Sequence, residues 1–350
     1  MAAVSAAARH ILTLNEGSSS FKFGLYAAGP DGIAALAAGE VDQAGGHAAS
    51  FDGIAAALGG VRPDAIGHRI VHGGPGLFEA VRIDAGVIAK LEAATAFAPL
   101  HGPAALALIR AAGLRFPGVP QVACFDTGFH AGLPDLAAVL PVPRALRAEG
   151  IRRFGFHGLS CQSILHQLGA ALPERLIIAH LGSGASVTAV RAGRSVDTSM
   201  GLTPSGGLVM ATRAGDLDPG LMLFLLREHG LDADTLEQLV DRQSGLLGIS
   251  GLSPDLRRLR AAAATDPDAD LAIRLFCRSV ARHVAAMMVA LGGADMIVFT
   301  GGIGEHDAAA RAAICADLAW AGVPDRVAVR VLESREGEQI AREVARLIAG

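Results

Sequence analysis

The chain has 350 residues, of which 51% are hydrophobic and 18% charged, with a formal net charge of −4. This composition excludes a disordered or extended chain, and the absence of a basic block argues against a nucleic-acid surface. The length suffices for two domains of ordinary size, each with its own core.

Predicted strands and helices alternate along the chain, which favours a layered α/β fold. The segments HILTLNE and FKFGLYAAG read as two strands of a hairpin joined by a serine-rich turn. DAIGHRIVHGG and VPQVACFDTGF read as further strands that end in polar or glycine-rich loops. Between them, HGPAALALIRAAG has the early proline and late glycine that are typical of a helix.

A second set of elements begins near residue 151. RLIIAHLGSGASVTAVRAGRSVDT predicts three strands joined by small-residue turns. Helices follow in DPGLMLFLLREHG, DADTLEQLV and DADLAIRLFCRSVARHVAAMMVALGG. The chain then continues with a strand DMIVFTGG, a helix DAAARAAICADLAWAG, a strand RVAVRVL and a closing helix GEQIAREVARLIAG.

The two halves of the chain repeat one pattern. ILTLNEGSSSFKFGL and IIAHLGSGASVTAV both run from an apolar strand through a Gly-Ser turn to a second apolar strand. Asn15 and His180 occupy the same place in this pattern, 165 residues apart. Together with the α/β order of each half, the repeat predicts two related domains facing each other across a cleft.

Three small-residue turns at strand ends suit an anion. Backbone N–H groups in Gly/Ser turns form anion-binding concavities, and a nearby cation can meet phosphate. Ser18, Ser19, Ser20 and Lys22 would form one half of a phosphate cradle, and HLGSGAS the other. FTGGIGEH lies between a strand and a helix, a setting that suits nucleotide contact. No Walker-type G-x-x-x-x-G-K-[ST] motif occurs.

Two arginines and two histidines lie in unusual loop contexts. Arg69 and Arg213 lie beside glycines and small residues, where a guanidinium packs poorly but can fork onto a carboxylate or phosphate. His101 and His157 lie in the loops APLHGP and RRFGFHGLS.

Nine segments, in order along nearly the whole chain, resemble the acetokinase family of short-chain carboxylate kinases in the actin-like phosphotransferase superfamily. They are NEGSSSFK, GHRIVHGG, APLHGP, CFDTGFH, RRFGFHGLS, HLGSGAS, DTSMGLTPSGGLVMATRAGDLDP, LLGISGLSPDLR and FTGGIGE. The resemblance implies two actin-like (ribonuclease H-like) α/β domains with a central cleft. The first would comprise residues 1–150 with the C-terminal helix 335–350, and the second residues 151–334.

The resemblance also implies the acetate kinase reaction, a reversible in-line phosphoryl transfer between ATP and acetate that gives acetyl phosphate and ADP. Mg²⁺, with Mn²⁺ as a substitute, would be the cofactor, and propionate a secondary substrate. It further implies a homodimer formed largely through the second domain. We expect a cytoplasmic protein, because the four scattered cysteines fit a reduced interior. We expect no nucleic-acid or membrane partners. No apolar run is long enough to span a bilayer.

The resemblance assigns roles to individual residues. The catalytic residues are Arg69, Asp126, His157 and Arg213, and the metal ligands are Asn15 and Glu336. The acyl group would lie among Arg69, Val71, Leu100, Phe156 and Pro204. The nucleotide would contact Ser18, Ser20, Lys22, His180, Leu181, Gly182, Ser183, Gly184, Asp255, Leu256, Arg257, Gly302, Ile303, Gly304, Glu305 and His306.

The chemistry of the acceptor agrees with these roles. A carboxylate with a pKa of about 4.3 is ionised at neutral pH, so that no general base is needed to activate it. The difficulty is the approach of two anions, and catalysis should consist of positioning and charge neutralisation. On this argument Asp126 orients Arg69 or the water shell of the metal and does not take a proton.

The chain departs from the family pattern at several positions. Glu16 stands beside the phosphate turn, Gly102 and Ser183 replace asparagines, and TPSGG lacks a glutamate. Two alternatives stay open: a kinase for butyrate or a branched-chain acid, and a non-catalytic actin-like nucleotide-binding protein. The first needs a wider pocket, and the second predicts loss of Arg69, Asp126, His157 or Arg213.

Overall fold

The structure, a computed structural model, describes residues 8–16, 20–30, 32–42, 46–99 and 101–349. The chain divides into two compact units. The first consists of Met1–Ala131, Gly158–Ser163 and Arg335–Gly350, and the second of Gly132–His157 and Ile164–Ser334. This division differs from the sequence-based limits at residues 132–150, which go with the second unit, and at 158–163, which go with the first. The domain limits themselves stay a prediction.

Strands and helices alternate as the sequence predicts. The strands of the described residues are β1 (Arg9–Glu16), β2 (Ser20–Gly29), β3 (Gly32–Asp42), β4 (Ala65–Ile70), β5 (Val81–Arg82), β6 (Gln121–Phe125), β7 (Arg175–Leu181), β8 (Ala185–Arg191), β9 (Arg194–Thr198), β10 (Met296–Thr300) and β11 (Ala328–Val331). The α-helices are α1 (Gly46–Ala57), α2 (Ala85–Ala94), α3 (Gly102–Arg115), α4 (Asp135–Ala138), α5 (Arg144–Ala148), α6 (Gly158–Leu168), α7 (Pro219–Glu228), α8 (Ala233–Arg242), α9 (Gly245–Ser250), α10 (Leu256–Ala262), α11 (Pro267–Leu291), α12 (Gly301–His306), α13 (Ala308–Asp317) and α14 (Glu336–Ile348).

The first unit is built on a six-stranded sheet in the order β3-β2-β1-β4-β6-β5. β1, β2 and β3 form an antiparallel meander, and β1, β4 and β6 run parallel at its centre. Because side chains alternate along a strand, each face of the sheet has its own core. Leu12, Leu14 and Ile66 pack on one face with residues of α1 and α3. The other face packs against α14.

Close contact with α14 depends on a glycine in β4. A Cβ on Gly67 would lie 2.4 Å from Cγ2 of Ile340 and 2.7 Å from Cγ2 of Val344, so that any larger residue would push the helix away. Ile11 and Val122 complete this apolar layer. The C-terminal helix is therefore an integral part of the first unit.

The second unit contains a five-stranded sheet in the order β11-β10-β7-β8-β9. β7, β8 and β9 form an antiparallel meander, and β7, β10 and β11 run parallel. The same connectivity links β1, β2, β3, β4 and β6 of the first unit. The predicted α/β class and the predicted relation between the two halves are thus confirmed at the level of topology.

Three further findings bear on the sequence-based predictions. Cys124, Cys161 and Cys277 are buried and Cys315 is half-buried, and all four are free thiols. None of the helices in the described part of the chain combines the length and hydropathy that a bilayer crossing requires. Sequence reasoning missed β3, because GIAALAAGEVD has few of the β-branched and aromatic residues that mark a strand.

Candidate active site

Three parallel strands of the first unit end at the same edge of its sheet. Asn15 lies near the end of β1, Arg69 near the end of β4, and Asp126 directly after β6. The backbone amide of Asp126 still donates to the carbonyl of Ile70, at 2.9 Å, so that this residue continues the line of β6. Because β1, β4 and β6 are neighbours, the three side chains converge.

The alternation of the strands turns these side chains towards one face. Gly67 on β4 and Cys124 on β6 contact the α14 layer, and Arg69 and Asp126 follow them by two positions each. Glu336, the first residue of α14, completes the group. We call Asn15, Arg69, Asp126 and Glu336 the carboxylate–arginine cluster.

Direct contacts join the members of this cluster. Arg69 donates from Nε to Oδ2 of Asp126 at 2.8 Å, and its Nη2 lies 2.5 Å from the same oxygen. Nη1 of Arg69 donates to Oδ1 of Asn15 at 3.1 Å. The Nδ2 amide of Asn15 donates to Oε2 of Glu336 at 2.8 Å. The hypothesis that Asp126 orients Arg69 thus agrees with a direct contact.

Burial and neighbouring charges act in opposite directions on the pKa values of Asp126 and Arg69. Asp126 is fully buried, and this burial raises its pKa to about 6, although the guanidinium of Arg69 pulls the pKa down. Burial alone would lower the pKa of Arg69, but the charges of Asp126 and Glu336 outweigh it and raise that pKa above its ordinary value. Burial thus favours the neutral form of Asp126, and the contact with Arg69 favours the ionised form that an orienting carboxylate needs.

The oxygen atoms of this cluster suit a hard cation. Oδ1 of Asp126 is buried and accepts no hydrogen bond within the described residues, and the Glu336 carboxylate lies beside Asn15. Mg²⁺ binds through one or two carboxylates and keeps waters and substrate phosphates as its other ligands. The described chain brings together no group of three or more His, Cys, Asp or Glu side chains that could hold a metal alone.

In the second unit, the β7–β8 hairpin carries the second predicted phosphate turn. His180 and Leu181 close β7, and the amide of Gly182 donates to the carbonyl of Gly184 at 3.0 Å across the turn. Ser183 is exposed at its tip, and Leu181 is buried. The predicted nucleotide contacts here are therefore the backbone of the turn and the exposed hydroxyl.

His157 is held in an unusual backbone conformation beside this hairpin. Its φ of 58° lies in the left-handed region, which a residue with a Cβ rarely adopts. Its ring stacks on that of His180, with 4.1 Å between ring centroids, and its Nδ1 lies 2.9 Å from Oγ of Ser186. Strain of this kind persists where surrounding contacts hold it, and it concentrates at functional sites.

Arg213 lies in the same region of the second unit. A Cβ on Gly184 would lie 3.3 Å from Nε2 of His157 and 3.4 Å from Nη1 of Arg213, so that the small turn leaves room for both side chains. Nη1 of Arg213 also lies 3.4 Å from the carbonyl oxygen of Pro204. The structure thus brings together His157, His180, Gly184, Arg213 and Pro204.

The other two predicted nucleotide segments differ in exposure. Asp255 and Arg257 form a bidentate ion pair at the start of α10, with 2.7 Å between Arg257 Nη2 and Asp255 Oδ2, whereas the Leu256 side chain is buried. Gly302 and His306 of α12 are exposed.

The carboxylate of Glu305 points into the second unit. Its Oε1 accepts hydrogen bonds from the backbone amides of Gly301 and Ser334, both at 2.9 Å. Ile303 is half-buried and Gly304 is buried. The exposed surface of the α12 segment therefore comes mainly from Gly302 and His306.

The remaining predicted residues fall into two groups. Ser18 and Leu100 lie outside the described residues, and for Ser20 only the backbone, at the start of β2, is described. Lys22 is exposed on β2, opposite Asn15 in the strand register. Val71 lines a small apolar cavity of the first unit, and Phe156 is buried in the second.

Sequence reasoning missed one partner of the candidate residues, Ser186. It lies in the same ASVTAV strand as the predicted turn, and its alternation along β8 places it opposite His180 in the register. From this position the sequence could have predicted that the Ser186 side chain lies near the end of the hairpin. It could not have predicted the contact with His157, which is distant in the sequence.

Comparison with known proteins gives a consistent result. A model of the acetokinase family matches residues 60–348. The acetate kinase of Rhodopseudomonas palustris (strain ATCC BAA-98 / CGA009) is 47% identical over 264 residues, which are 74% of this chain and 66% of the relative. The acetate kinase of Shewanella loihica is 50% identical over 249 residues, which are 69% of this chain and 63% of the relative. The chain thus spans less than two thirds of the length of these two relatives.

Two solved structures resemble the whole fold. The acetate kinase of Porphyromonas gingivalis has a TM-score of 0.82 and 32% identity, covering 97% of this chain and 100% of its own. A propionate kinase from Francisella tularensis has a TM-score of 0.85 and 34% identity, covering 96% of this chain and 98% of its own.

Proposed function

Since this chain belongs to the acetokinase family, we propose that it is an acetate kinase, transferring a phosphoryl group reversibly between ATP and acetate to give acetyl phosphate and ADP. Its actin-like α/β fold is that of the acetate and propionate kinase structures it resembles. The observation that carries the proposal is the carboxylate–arginine cluster at the edge of the first sheet.

The cluster meets the main demand of the reaction. An anionic acceptor must approach an anionic phosphoryl group, and a fixed guanidinium lowers the repulsion between them without reorganising during the reaction. Asp126 holds Arg69 in place through Nε and Nη2, which leaves Nη1 and the outer edge of the guanidinium for Asn15 and for a substrate anion. No general base is required, because acetate is ionised at neutral pH.

Residues of the second unit supply the remaining positive charge and donors. Arg213 and His157 would hold the transferring group, and the backbone amides of the β7–β8 turn would contact the phosphates of ATP. Asp255, Arg257, Gly302 and His306 would contact the nucleoside, together with the other members of their segments. These roles follow the family pattern residue by residue.

We propose Mg²⁺, with Mn²⁺ as a substitute, as the cofactor. Asn15 and Glu336, which hydrogen-bond to each other at 2.8 Å, would hold it, and Asp126 would contact its water shell through Oδ1. When bound, the cation neutralises phosphate oxygens. The unpartnered Oδ1 of Asp126 supports this assignment, because a buried carboxylate oxygen without a donor is otherwise unfavourable.

The acyl pocket would be formed by Val71, Leu100, Phe156 and Pro204. A small pocket with apolar walls favours a two- or three-carbon acid, so that propionate is the expected second substrate. The similarity to a propionate kinase structure supports this choice.

We further propose a homodimer formed through the second unit, in the cytoplasm where ATP is available. α7 supports the dimer, because none of its residues is buried. Leu223 and Phe224 are 48% and 50% exposed, and Leu221 and Leu226 lie beside them. An exposed apolar helix face of this kind marks an interaction surface. Phe224→Asp should convert the dimer to a monomer in sedimentation equilibrium, whereas a wild-type monomer would contradict the proposal.

The activity is tested by trapping acyl phosphate with hydroxylamine. The purified chain is incubated with ATP and acetate, propionate or butyrate, with and without Mg²⁺. Hydroxamate from acetate and propionate that requires Mg²⁺ supports the proposal. Product only from butyrate would favour the longer-chain kinase. Absence of product from any acid, in folded protein that still binds ADP, would favour a nucleotide-binding protein without activity.

A further inference from the structure

An ion pair in the second unit joins the two segments that would contact the nucleoside. Arg260 lies on α10, five residues after Asp255, and Asp307 lies directly after His306, where α12 ends. Nε of Arg260 donates to Oδ2 of Asp307 at 3.0 Å, and Nη2 donates to Oδ1 at 2.8 Å. This bidentate contact fixes the orientation of the two groups as well as the distance between them.

Among the arginines of α10, Arg260 is the one that faces α12. Arg257 and Arg258 are exposed, and Arg257 pairs with Asp255 at the start of its own helix. Arg260 follows the buried Leu256 by four residues, so that both side chains lie on the same face of the helix. The Arg260 side chain is accordingly 35% exposed, against 89% for Arg257.

The carboxylate of Asp307 is itself fixed by the backbone. Asp307 is the N-cap of α13, and its Oδ1 accepts a hydrogen bond from the amide of Ala310 at 2.8 Å. A second contact ties α12 to α13, because Nη1 of Arg311 donates to the carbonyls of Gly304 and Glu305, both at 2.9 Å. The Arg260 guanidinium therefore binds a rigid junction between two helices.

We propose that Arg260 and Asp307 are positioning residues that set the spacing between the Asp255–Arg257 and Gly302–His306 segments and thereby determine nucleotide affinity. This role rests on the proposed function and deepens it, because neither residue belongs to a predicted contact. α10 and α13 also pack against α11. Apolar packing is non-directional and lets a helix shift, whereas a bidentate ion pair holds the start of α10 at one distance from α12.

The test measures affinity for the nucleotide separately from affinity for the acid. ADP binding to the full-length protein is measured by isothermal titration calorimetry with Mg²⁺ present, and KM for ATP and for acetate by the hydroxylamine assay. Asp307→Asn keeps a good N-cap for α13 but removes the charge that pairs with Arg260. It should raise the Kd for ADP and KM for ATP by about 10-fold, as expected for residues that act through others, and leave KM for acetate unchanged.

Arg260→Gln removes the same pair from its other side. It should raise the Kd for ADP as much as Asp307→Asn does. The double variant should bind ADP no more weakly than either single variant, because each single change already breaks the contact. If Arg260→Gln does not fold, Asp307→Asn alone decides the question.

A second bidentate ion pair in the same unit provides the matched control. Nε of Arg278 on α11 donates to Oδ2 of Asp317 at 2.7 Å, and Nη2 donates to Oδ1 at 3.0 Å. Asp317 is the last residue of α13, and neither partner lies in a proposed nucleotide segment. Arg278→Gln makes the same chemical change as Arg260→Gln and should leave the Kd for ADP within about twofold, as expected for an exposed pair.

Two results would overturn the positioning role. If Arg260 bound a phosphate of ADP directly, Arg260→Gln would weaken binding, whereas Asp307→Asn would free the guanidinium and tighten it. If the two variants lowered Tm but left the Kd for ADP unchanged, the pair would stabilise the second unit only. Both results require a wild type that binds ADP and forms acyl phosphate. A wild type that does neither overturns the proposed function, and the positioning role with it.

Discussion

The two units share one strand topology but carry different chemistry at equivalent positions. Asn15 and His180 occupy the same place on β1 and β7, and the strand registers then match Arg69 on β4 with Thr300 on β10. The first unit places a charged network at this edge of its sheet. The second places different contacts there: His157 meets the ring of His180 and the hydroxyl of Ser186, and the Glu305 carboxylate accepts from the backbone amides of Gly301 and Ser334.

Because of this difference, substitutions in the two units should affect protein stability and enzyme activity to different extents. A buried ion pair that loses one partner leaves an uncompensated charge, which destabilises the whole unit. Loss of a side chain that contacts a carbonyl or a hydroxyl removes a modest contact only. Substitutions in the first unit should therefore affect folding and turnover together, and those in the second mainly turnover.

The largest effect is expected for Arg69→Ala. Asp126 is fully buried and would lose its cation, so that the free energy of unfolding should fall by about 3–5 kcal/mol. Turnover should fall by at least about 10³-fold, because a fixed cation is lost. Urea unfolding and the hydroxylamine assay measure the two effects. A stability change below about 1 kcal/mol, the size of an exposed ion pair, would show that the cluster is not a coupled network.

Arg213→Ala should separate the two properties. Turnover should fall by about 10²–10³-fold. The free energy of unfolding should change less than for Arg69, by about 1 kcal/mol, since Nη1 of Arg213 lies 3.4 Å from the Pro204 carbonyl oxygen and 4.0 Å from the Met210 sulfur, which are longer contacts than those of Arg69 with Asp126. Arg194→Ala, an exposed arginine on β9, is the matched control and should alter neither property. Equal losses of stability at Arg69 and Arg213 would remove the contrast between the units.

Two variants of His157 distinguish the role of its side chain in turnover from the effect of its backbone conformation on stability. His157→Ala and His157→Asn both remove the ring and should lower turnover by about 10²-fold. Asparagine tolerates the left-handed region better, so that the alanine variant should be less stable by about 1 kcal/mol. Thermal unfolding of the two variants measures this difference. Equal stability would mean that the φ of 58° relaxes when the ring is absent.

The smallest effect on turnover is expected for a buried histidine of the first sheet. Burial lowers the pKa of His68 to about 4, against the hydrogen bond that Gln121 makes with its Nε2 at 2.6 Å. The unfolded chain, with a histidine pKa of about 6.5, then binds more protons between pH 6.5 and 4. The contribution of His68 to the free energy of unfolding is fully present above pH 6.5. It decreases by about 3 kcal/mol in total as the pH falls towards 4.

A matched variant isolates this pH dependence. His68→Leu should remove that part of the acid destabilisation in urea unfolding at pH 7 and pH 4.5, with turnover nearly unchanged. In the second unit the equivalent position is Phe299, which does not titrate. An identical pH dependence of wild type and variant would show that other groups cause the acid sensitivity.

Local sequence patterns predicted many elements and the polar ends of the central strands. The β1–β2 and β7–β8 strand pairs and the helices α11 and α14 follow directly from their periodicity and end residues. Helix α3 forms where the sequence predicts it but continues past Gly113 to Arg115. The pattern failed at β3, where alanines and glycines carry little preference, and neighbouring β2 decides the conformation through its hydrogen bonds.

By itself, the sequence determined the family, the α/β class and the residue types at each strand end. These features depend on turns, helix caps and side-chain alternation, which are local signals spanning only a few neighbouring residues. Only the tertiary structure decided which of those residues meet. Asn15, Arg69, Asp126 and Glu336 come from four separate elements, and their contacts depend on strand order and on the seat of α14 over Gly67. The reason is physical: non-local packing fixes these distances, and no local pattern encodes them.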